Sequence, residues 1–139
     1  DIMHTAGSGA AGGMGAGLLA FLQADLRPGV QIVTDAVELA ASLEGADLLI
    51  TGEGRIDSQT IRGKTPIGVS KRTKAFGDIS VIALAGSVSE DAEVVHEHGI
   101  DALFSVVPGV VTLDSALADA DANLYRTARN VAKIWQMSV

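Results

Sequence analysis

Residues 46–66 read ADLLITGEGRIDSQTIRGKTP; IGVSKRTKAF continues to residue 76, and SVIALAGSV occupies residues 80–88. The run at 46–51 is short, apolar and closed by Gly52, the pattern of a strand buried on both faces of a sheet. Pro66 stands where a first helical residue is expected, so 66–76 is predicted to be a helix. Two further apolar runs, 80–85 and 102–107, predict strands. Between them 90–98 is preceded by Ser89 and closed by Gly99, the end signals of another helix. Strands alternating with helices form parallel βαβ units, so the chain reads as α/β, a parallel sheet with flanking helices.

On the N-terminal side of this stretch, apolar positions 14, 18, 19, 21 and 22 predict a helix over 14–25, stopped by Arg27, Pro28 and Gly29. Positions 30, 33, 37, 40 and 43 keep helical spacing and predict one helix over 30–43. On the C-terminal side, 113, 117, 120, 124, 128, 131 and 135 share a helical face, predicting a long closing helix packed on the sheet, with a break near 119–121. No repeat, low-complexity tract or linker divides the chain, so one α/β domain over 1–139 is expected. Three strands are few for such a sheet. The rest of it is expected upstream, in a larger protein.

The 139 residues include 47% hydrophobic and 19% charged residues, enough apolar material for one sizeable core. A net charge of -7 is the wrong sign for bulk phosphate neutralisation, which argues against general nucleic-acid or anionic-membrane binding. No run approaches the roughly 20 apolar residues of a bilayer span, and no basic-then-apolar leader opens the chain. The absence of cysteine excludes disulfides and thiolate metal sites and suits a reducing cytosol, so a cytoplasmic location is expected. Aromatics are only 4%, which leaves no stacking surface. Glycines cluster at 7–17, 52–54 and 63–68, where a small polar ligand could approach backbone.

Gly7-Ser-Gly-Ala-Ala-Gly12 matches G-x-G-x-x-G, and Asp35 follows near the distance at which a dinucleotide fold places its ribose-binding acid. Residues 1–6 are too short and polar for the strand that motif requires, and the helical spacing of 30–43 puts Asp35 in a helix. Tight helix packing is one reading of these glycines. A general anion site is another: Gly9, Gly12 and Gly13 would leave amides open before a helix starting near Met14. His4 lies beside this loop as a substrate-contact candidate.

After the first strand, residues 51–65 gather Glu53 and Asp57, Arg55, Arg62 and Lys64, hydroxyls and glycines. Ligands of open parallel sheets bind beyond the carboxyl ends of strands, and phosphoryl transfer calls for this assortment. A solvated loop with local ion pairs uses the same residues, and both readings stay open. Gly63-Lys64-Thr65 ends like a P-loop, but Ser58 stands where its earlier glycine is needed, so no Walker A motif is present. His96 and His98, two apart on a helix, do not make a ligand pair, and no serine sits in a G-x-S-x-G elbow.

The stretches GSGAAGGMGAGLLAFL (7–22), ADLLITGEGRIDSQTIRGKTPIGVSKR (46–72) and VIALAGSV (81–88) closely resemble the C-terminal part of bacterial type I glycerate kinases. The resemblance implies ATP-dependent phosphorylation of D-glycerate, to 2-phosphoglycerate, with Mg²⁺. It also implies a two-domain enzyme with a flavodoxin-like, Rossmann-like three-layer part. This chain corresponds to its last third, without the family's N-terminal strand and Asp-Ser-Lys type segment. The isolated chain is therefore expected to be inactive and to need the upstream portion. A dinucleotide-binding oxidoreductase fragment and a non-catalytic ligand-binding domain are the alternatives.

Within the kinase reading, Glu53 and Asp57 are four apart with Gly54 permitting a bend between them, so both carboxylates are expected to face one cleft. Asp57, the shorter, is the candidate for Mg²⁺ or for the substrate hydroxyl's proton, and Glu53 for organising the loop. Lys64 and Thr65, at the next helix's start, are candidates for a phosphate or carboxylate. Arg55 would pair with that anion or neutralise Glu53.

Overall fold

In the computed structural model, three strands pair in parallel in the order β1-β2-β3: β1 Leu48–Ile56, β2 Ser80–Val88 and β3 Ala102–Ser105. The structure describes residues 2–137. Contacts divide the chain into two compact units, Asp1–Leu39 and Ala40–Val139, and the sheet lies in the second. All three strands begin within two residues of the positions predicted from their apolar runs. Their ends differ. β1 runs five residues past Thr51, because pairing with β2 continues through Glu53↔Ala85, Arg55↔Ser87 and Ile56↔Val88. Ladder hydrogen bonds outweigh the poor strand propensity of Gly-Glu-Gly. Gly54 is thus an extended strand residue and not the bend expected between Glu53 and Asp57.

Close strand approach also explains two glycines. A Cβ at Gly52 would sit 2.7 Å from Leu84 O, and one at Gly86 would sit 2.5 Å from Gly54 O. β2 likewise extends to Val88, beyond the expected 85. β3 stops at Ser105, short of 107, although Val106 N still donates to Ala85 O at 2.8 Å.

The helix α4 (Thr65–Phe76) joins β1 to β2. It packs Ile67 against Ile56, Val81, Ala83 and Ala85 in the core, which Ala92, Val95 and Ile100 complete. Burying each of the isoleucines contributes about 1.5–3 kcal/mol relative to exposure. Between β2 and β3, Glu90–His98 is a 3-10 helix. Its two buried residues, Ala92 and Val95, are three apart, the spacing that a 3-10 helix superimposes on one face. Ser70 Oγ donates to His98 O at 3.0 Å and ties this segment to α4.

The predicted closing helix divides as expected near residue 119, into α5 (Leu113–Ala118) and α6 (Ala120–Met137). Its apolar stripe is only partly used. Val131 is buried, whereas Leu113, Leu117 and Leu124 remain exposed, so packing against the sheet does not run the length of the stripe.

In the first unit, Ile2–His4 forms a 3-10 turn ahead of α1 (Ala10–Leu22). Ala11, Gly12 and Gly13 inside that span have φ of 51°, 68° and 95°, so regular helix begins at Met14, as predicted, and ends at Leu22 instead of 25. The single helix expected over 30–43 is two: α2 (Gly29–Ala36) and α3 (Leu39–Leu43). Glu38, at φ 50°, takes the left-handed region and breaks the register between them. No helix among the described residues is long and apolar enough to cross a membrane.

Candidate functional site

Beyond the end of β1 the chain turns through a short 3-10 helix, Ser58–Ile61, whose N-cap is Asp57. Asp57 Oδ1 accepts from Gln59 N at 3.0 Å, and Thr60 Oγ1 accepts in return from Asp57 N at 3.1 Å. The two side chains thus satisfy donors that the start of the helix leaves unpaired. Thr60 is fully buried, which anchors the turn. The same carboxylate has a second set of neighbours. Arg55 Nε lies 3.5 Å from Oδ2, and Lys64 Nζ lies 3.7 Å from Oδ1.

The structure therefore brings together Arg55, Asp57 and Lys64. Asp57 is largely shielded, its side chain 20% exposed, while Arg55 and Lys64 reach solvent at 67% and 40%. Arg55 pairs with Asp57, which corrects the expectation that it would neutralise Glu53. Two cations against one carboxylate leave one positive charge in excess, so the cluster favours an anion although the whole chain is acidic. Lys64 is the N-cap of α4, and Thr65 is its first residue, exposed beside it. The ammonium thus stands at the positive end of a 12-residue helix.

Glu53 lies elsewhere. It lines a cleft of about 910 Å³ formed by the carboxyl-terminal halves of β1 and β2, the end of β3, and α5 with the start of α6. Asp57, Arg55 and Lys64 are not among the residues lining that cleft, so the two carboxylates do not share one wall as expected. Glycines 52, 54 and 86 form part of its floor, and Leu84, Val106, Leu117 and Leu124 supply apolar walls. Its size lies within the range of small-molecule sites.

In the first unit, the turn carrying His4 leads into the glycine loop through Thr5 N→Ile2 O and Ser8 N→Thr5 O bonds. Gly9 is the N-cap of α1, and a Cβ at Gly9, Gly12 or Gly13 would meet nothing within 4 Å. What these positions require is the backbone conformation of Gly12 and Gly13, with open space outside. Gly15 is different: its Cβ would fall 2.1 Å from Gly7 O. In the sequence Gly15 is marked only by its place in a glycine-rich run. The 3-10 turn at Ile2–His4 stands where a dinucleotide motif needs a strand. Asp35 lies in α2, 3.8 Å from Arg27 Nη1. The dinucleotide arrangement is absent among the described residues.

His96 and His98 occupy the last turn of their 3-10 helix. His96 Nδ1 is 2.7 Å from Ile100 O. Among the described residues, no three of His, Cys, Asp and Glu converge as a metal site. Mg²⁺ is commonly held by one or two protein carboxylates with substrate phosphates as its other ligands, and in the cluster with Arg55 and Lys64 the carboxylate is that of Asp57.

Comparison with known proteins adds a third line. The sequence profile described as the glycerate kinase family matches residues 1–136. The chain is 56% identical over 128 residues to a glycerate kinase of Bacillus subtilis (strain 168), covering 92% of this chain and 33% of that protein. It is 52% identical over 132 residues to a glycerate 2-kinase of Escherichia coli (strain K12), covering 95% and 34%. A crystal structure of a candidate glycerate kinase 2 from Salmonella typhimurium LT2 superimposes with a TM-score of 0.71 at 53% identity, over 95% of this chain and 33% of that one. The chain thus spans about a third of the length of the relatives it matches.

Proposed function

The chain belongs to the glycerate kinase family, and from that premise we propose that it forms part of an enzyme that transfers the γ-phosphoryl group of ATP to D-glycerate, giving 2-phosphoglycerate. The observation that carries this reading is the Asp57 carboxylate held between Arg55 and Lys64 at the end of a parallel strand. Phosphoryl transfer is largely a matter of positioning and of charge stabilisation, and this cluster offers both signs within ion-pairing distance of each other.

In the proposed mechanism, Lys64 and the start of α4 bind the anionic part of a ligand, with Thr65 beside them. Arg55, the most exposed member, swings to the charge that develops on the transferred group. The glycerate hydroxyl oxygen bonds to phosphorus as the bond to the bridging oxygen of ADP breaks, and the hydroxyl proton passes to Asp57. Mg²⁺ would supply charge neutralisation at the phosphates, and Asp57 is the residue of this chain that would hold it as the alternative to taking the hydroxyl proton. Glu53 orders the cleft that accepts the nucleotide. In the first unit, the amides around Gly9, Gly12 and Gly13, with His4 nearby, are a separate candidate for binding a carboxylate or phosphate. The remaining groups come from the upstream two thirds of the enzyme, and the reaction runs in the cytosol.

The test uses the complete enzyme that contains this segment. D-glycerate and MgATP should yield ADP, with the product's phosphate on the 2-hydroxyl by phosphorus NMR. The 139-residue chain alone should give no turnover. A complete enzyme that forms no ADP beyond its glycerate-free rate would overturn the reading.

A further inference from the structure

Thr60 is a polar residue in a fully buried place. Burying a hydroxyl is costly unless it is hydrogen-bonded, and valine would fill nearly the same volume without that cost. The partners of the hydroxyl show what it does there. Oγ1 accepts from Asp57 N at 3.1 Å and donates to Asp57 Oδ1 at 3.4 Å. The donor and an acceptor site of one buried group are thus directed at one residue, at its backbone and at its carboxylate. The bond from the amide is the firmer hold, since 3.4 Å is long for an O–H donor. The backbone of Thr60 is engaged as well: its N–H donates to Asp57 O at 3.0 Å, and its carbonyl accepts from Lys64 N at 3.3 Å. One residue therefore stands between the carboxylate and the ammonium of the cluster, bonded to the main chain of both.

We infer that Thr60 is a positioning residue: its buried hydroxyl fixes the peptide and the carboxylate of Asp57 in their place between Arg55 and Lys64. The inference rests on the proposed role of Asp57. Oδ1 has three neighbours, Gln59 N at 3.0 Å, Thr60 Oγ1 at 3.4 Å and Lys64 Nζ at 3.7 Å. They restrict rotation of the carboxylate and leave Oδ2, 3.5 Å from Arg55 Nε, as the oxygen for the substrate proton. Gln59 is exposed and Lys64 reaches solvent, so Thr60 is the member of this set that water does not displace. A single 3-10 turn is too short to hold a side chain in one position by itself. Burial of Thr60, with Ile61 beside it packed against the core, gives the turn the rigidity it lacks.

The experiment measures initial rates of ADP formation and thermal melts for Thr60→Val, Thr60→Ser and Thr60→Ala in the complete enzyme. Thr60→Val keeps the volume and removes the hydroxyl. Its kcat should fall roughly ten- to hundred-fold, the effect of a small misplacement, while glycerate KM stays nearly unchanged. Thr60→Ser keeps the hydroxyl and loses a buried methyl, so it should melt below the parent yet retain most of the parent's kcat. Rate should thus follow the hydroxyl and not the melting temperature. Adding Thr60→Val to Asp57→Asn should cost nothing further, because the two residues act as one unit. If Thr60→Val fails to fold, Thr60→Ser and Thr60→Ala carry the same comparison, since they differ by the hydroxyl alone, and equal rates overturn the inference. Full kcat in Thr60→Val, beside an impaired Asp57→Asn, overturns the inference alone. A Thr60→Val penalty that persists undiminished in the Asp57→Asn background overturns it as well. Full activity of Asp57→Asn instead removes the reading on which it stands.

Discussion

Replacing Asp57 by Asn and by Ala separates what the carboxylate does for the fold from what it does for the reaction. Asn keeps an Oδ1 for the Gln59 amide, now 3.0 Å away, and Asn and Asp are equivalent N-caps. What Asn loses is charge, namely the pairs with Arg55 at 3.5 Å and Lys64 at 3.7 Å. With partners so exposed, each pair is worth about 0–1 kcal/mol. The stability cost of Asp57→Asn should therefore stay under about 2 kcal/mol. Ala removes the cap as well, a further loss of about 1 kcal/mol, seen as a Tm a few degrees below that of Asn. The effect on rate has a different scale. A carboxylate that takes the hydroxyl proton contributes about 10²–10⁴-fold, or about 2.7–5.4 kcal/mol in the barrier. Initial rates of ADP formation, with thermal melts of the same samples, should show both variants similarly slow and only Ala clearly less stable. If Asn retains near-normal kcat/KM while Ala is destabilised, Asp57 is a cap and nothing more.

Further outcomes follow from the same geometry. Lys64→Met should raise KM for the anionic ligand it contacts and lower turnover, measured by saturation kinetics; unchanged constants would leave Lys64 as a surface ion-pair partner. Gly12→Val places a β-branched residue at φ 68° with open space around its Cβ. It should cost about 1–2 kcal/mol of local strain, keep the fold, and weaken glycerate or nucleotide binding by titration calorimetry. Gly86→Ala, whose Cβ would press on Gly54 O at 2.5 Å, should destabilise by about 1–3 kcal/mol in urea unfolding; Gly54→Ala, with nothing within 4 Å, should not, and equal midpoints would refute the strand-contact account. At Asp101, burial raises the carboxyl's pKa, but the hydrogen bond from Lys74 at 2.6 Å and that from Val81 N at 2.6 Å outweigh it and hold it below the ordinary 3.8. A depressed folded value stabilises above pH 3.8, and the contribution disappears as pH falls through the folded value. Asp101→Asn should thus be less stable than the parent at neutral pH, with the gap closing in acid; a gap constant down to pH 2 would count against it.

The beginnings of the strands were legible because each is an apolar run closed on one side by a turn signal, and a strand buried on both faces needs no other mark. Their ends were not. Gly52, Glu53, Gly54 and Arg55 have the composition of a loop, and they are extended only because β2 offers a ladder of partners as far as Val88. Propensity is local, whereas the ladder joins residues far apart in sequence. The break in 30–43 was hidden for a related reason: Glu38 adopts φ 50° inside a stretch whose apolar spacing is unbroken, and spacing reports which face is apolar, not whether one helix carries it.

Composition and motif alone established that residues 51–65 gather charge and glycine behind a strand and that the chain is α/β with parallel strands, because charge, glycine and hydropathy period are properties of neighbouring residues. They named Asp57, Lys64 and Arg55 without showing which pairs would form. Tertiary structure decided that Arg55 turns to Asp57 and that Glu53 lines a different cleft. Each of those outcomes depends on where a strand ends and on what the next crossover lays beside it. Such distances are set when the core of Ile56, Ile67, Val81 and Val95 closes, and packing is cooperative over the whole sheet, so no local pattern encodes it.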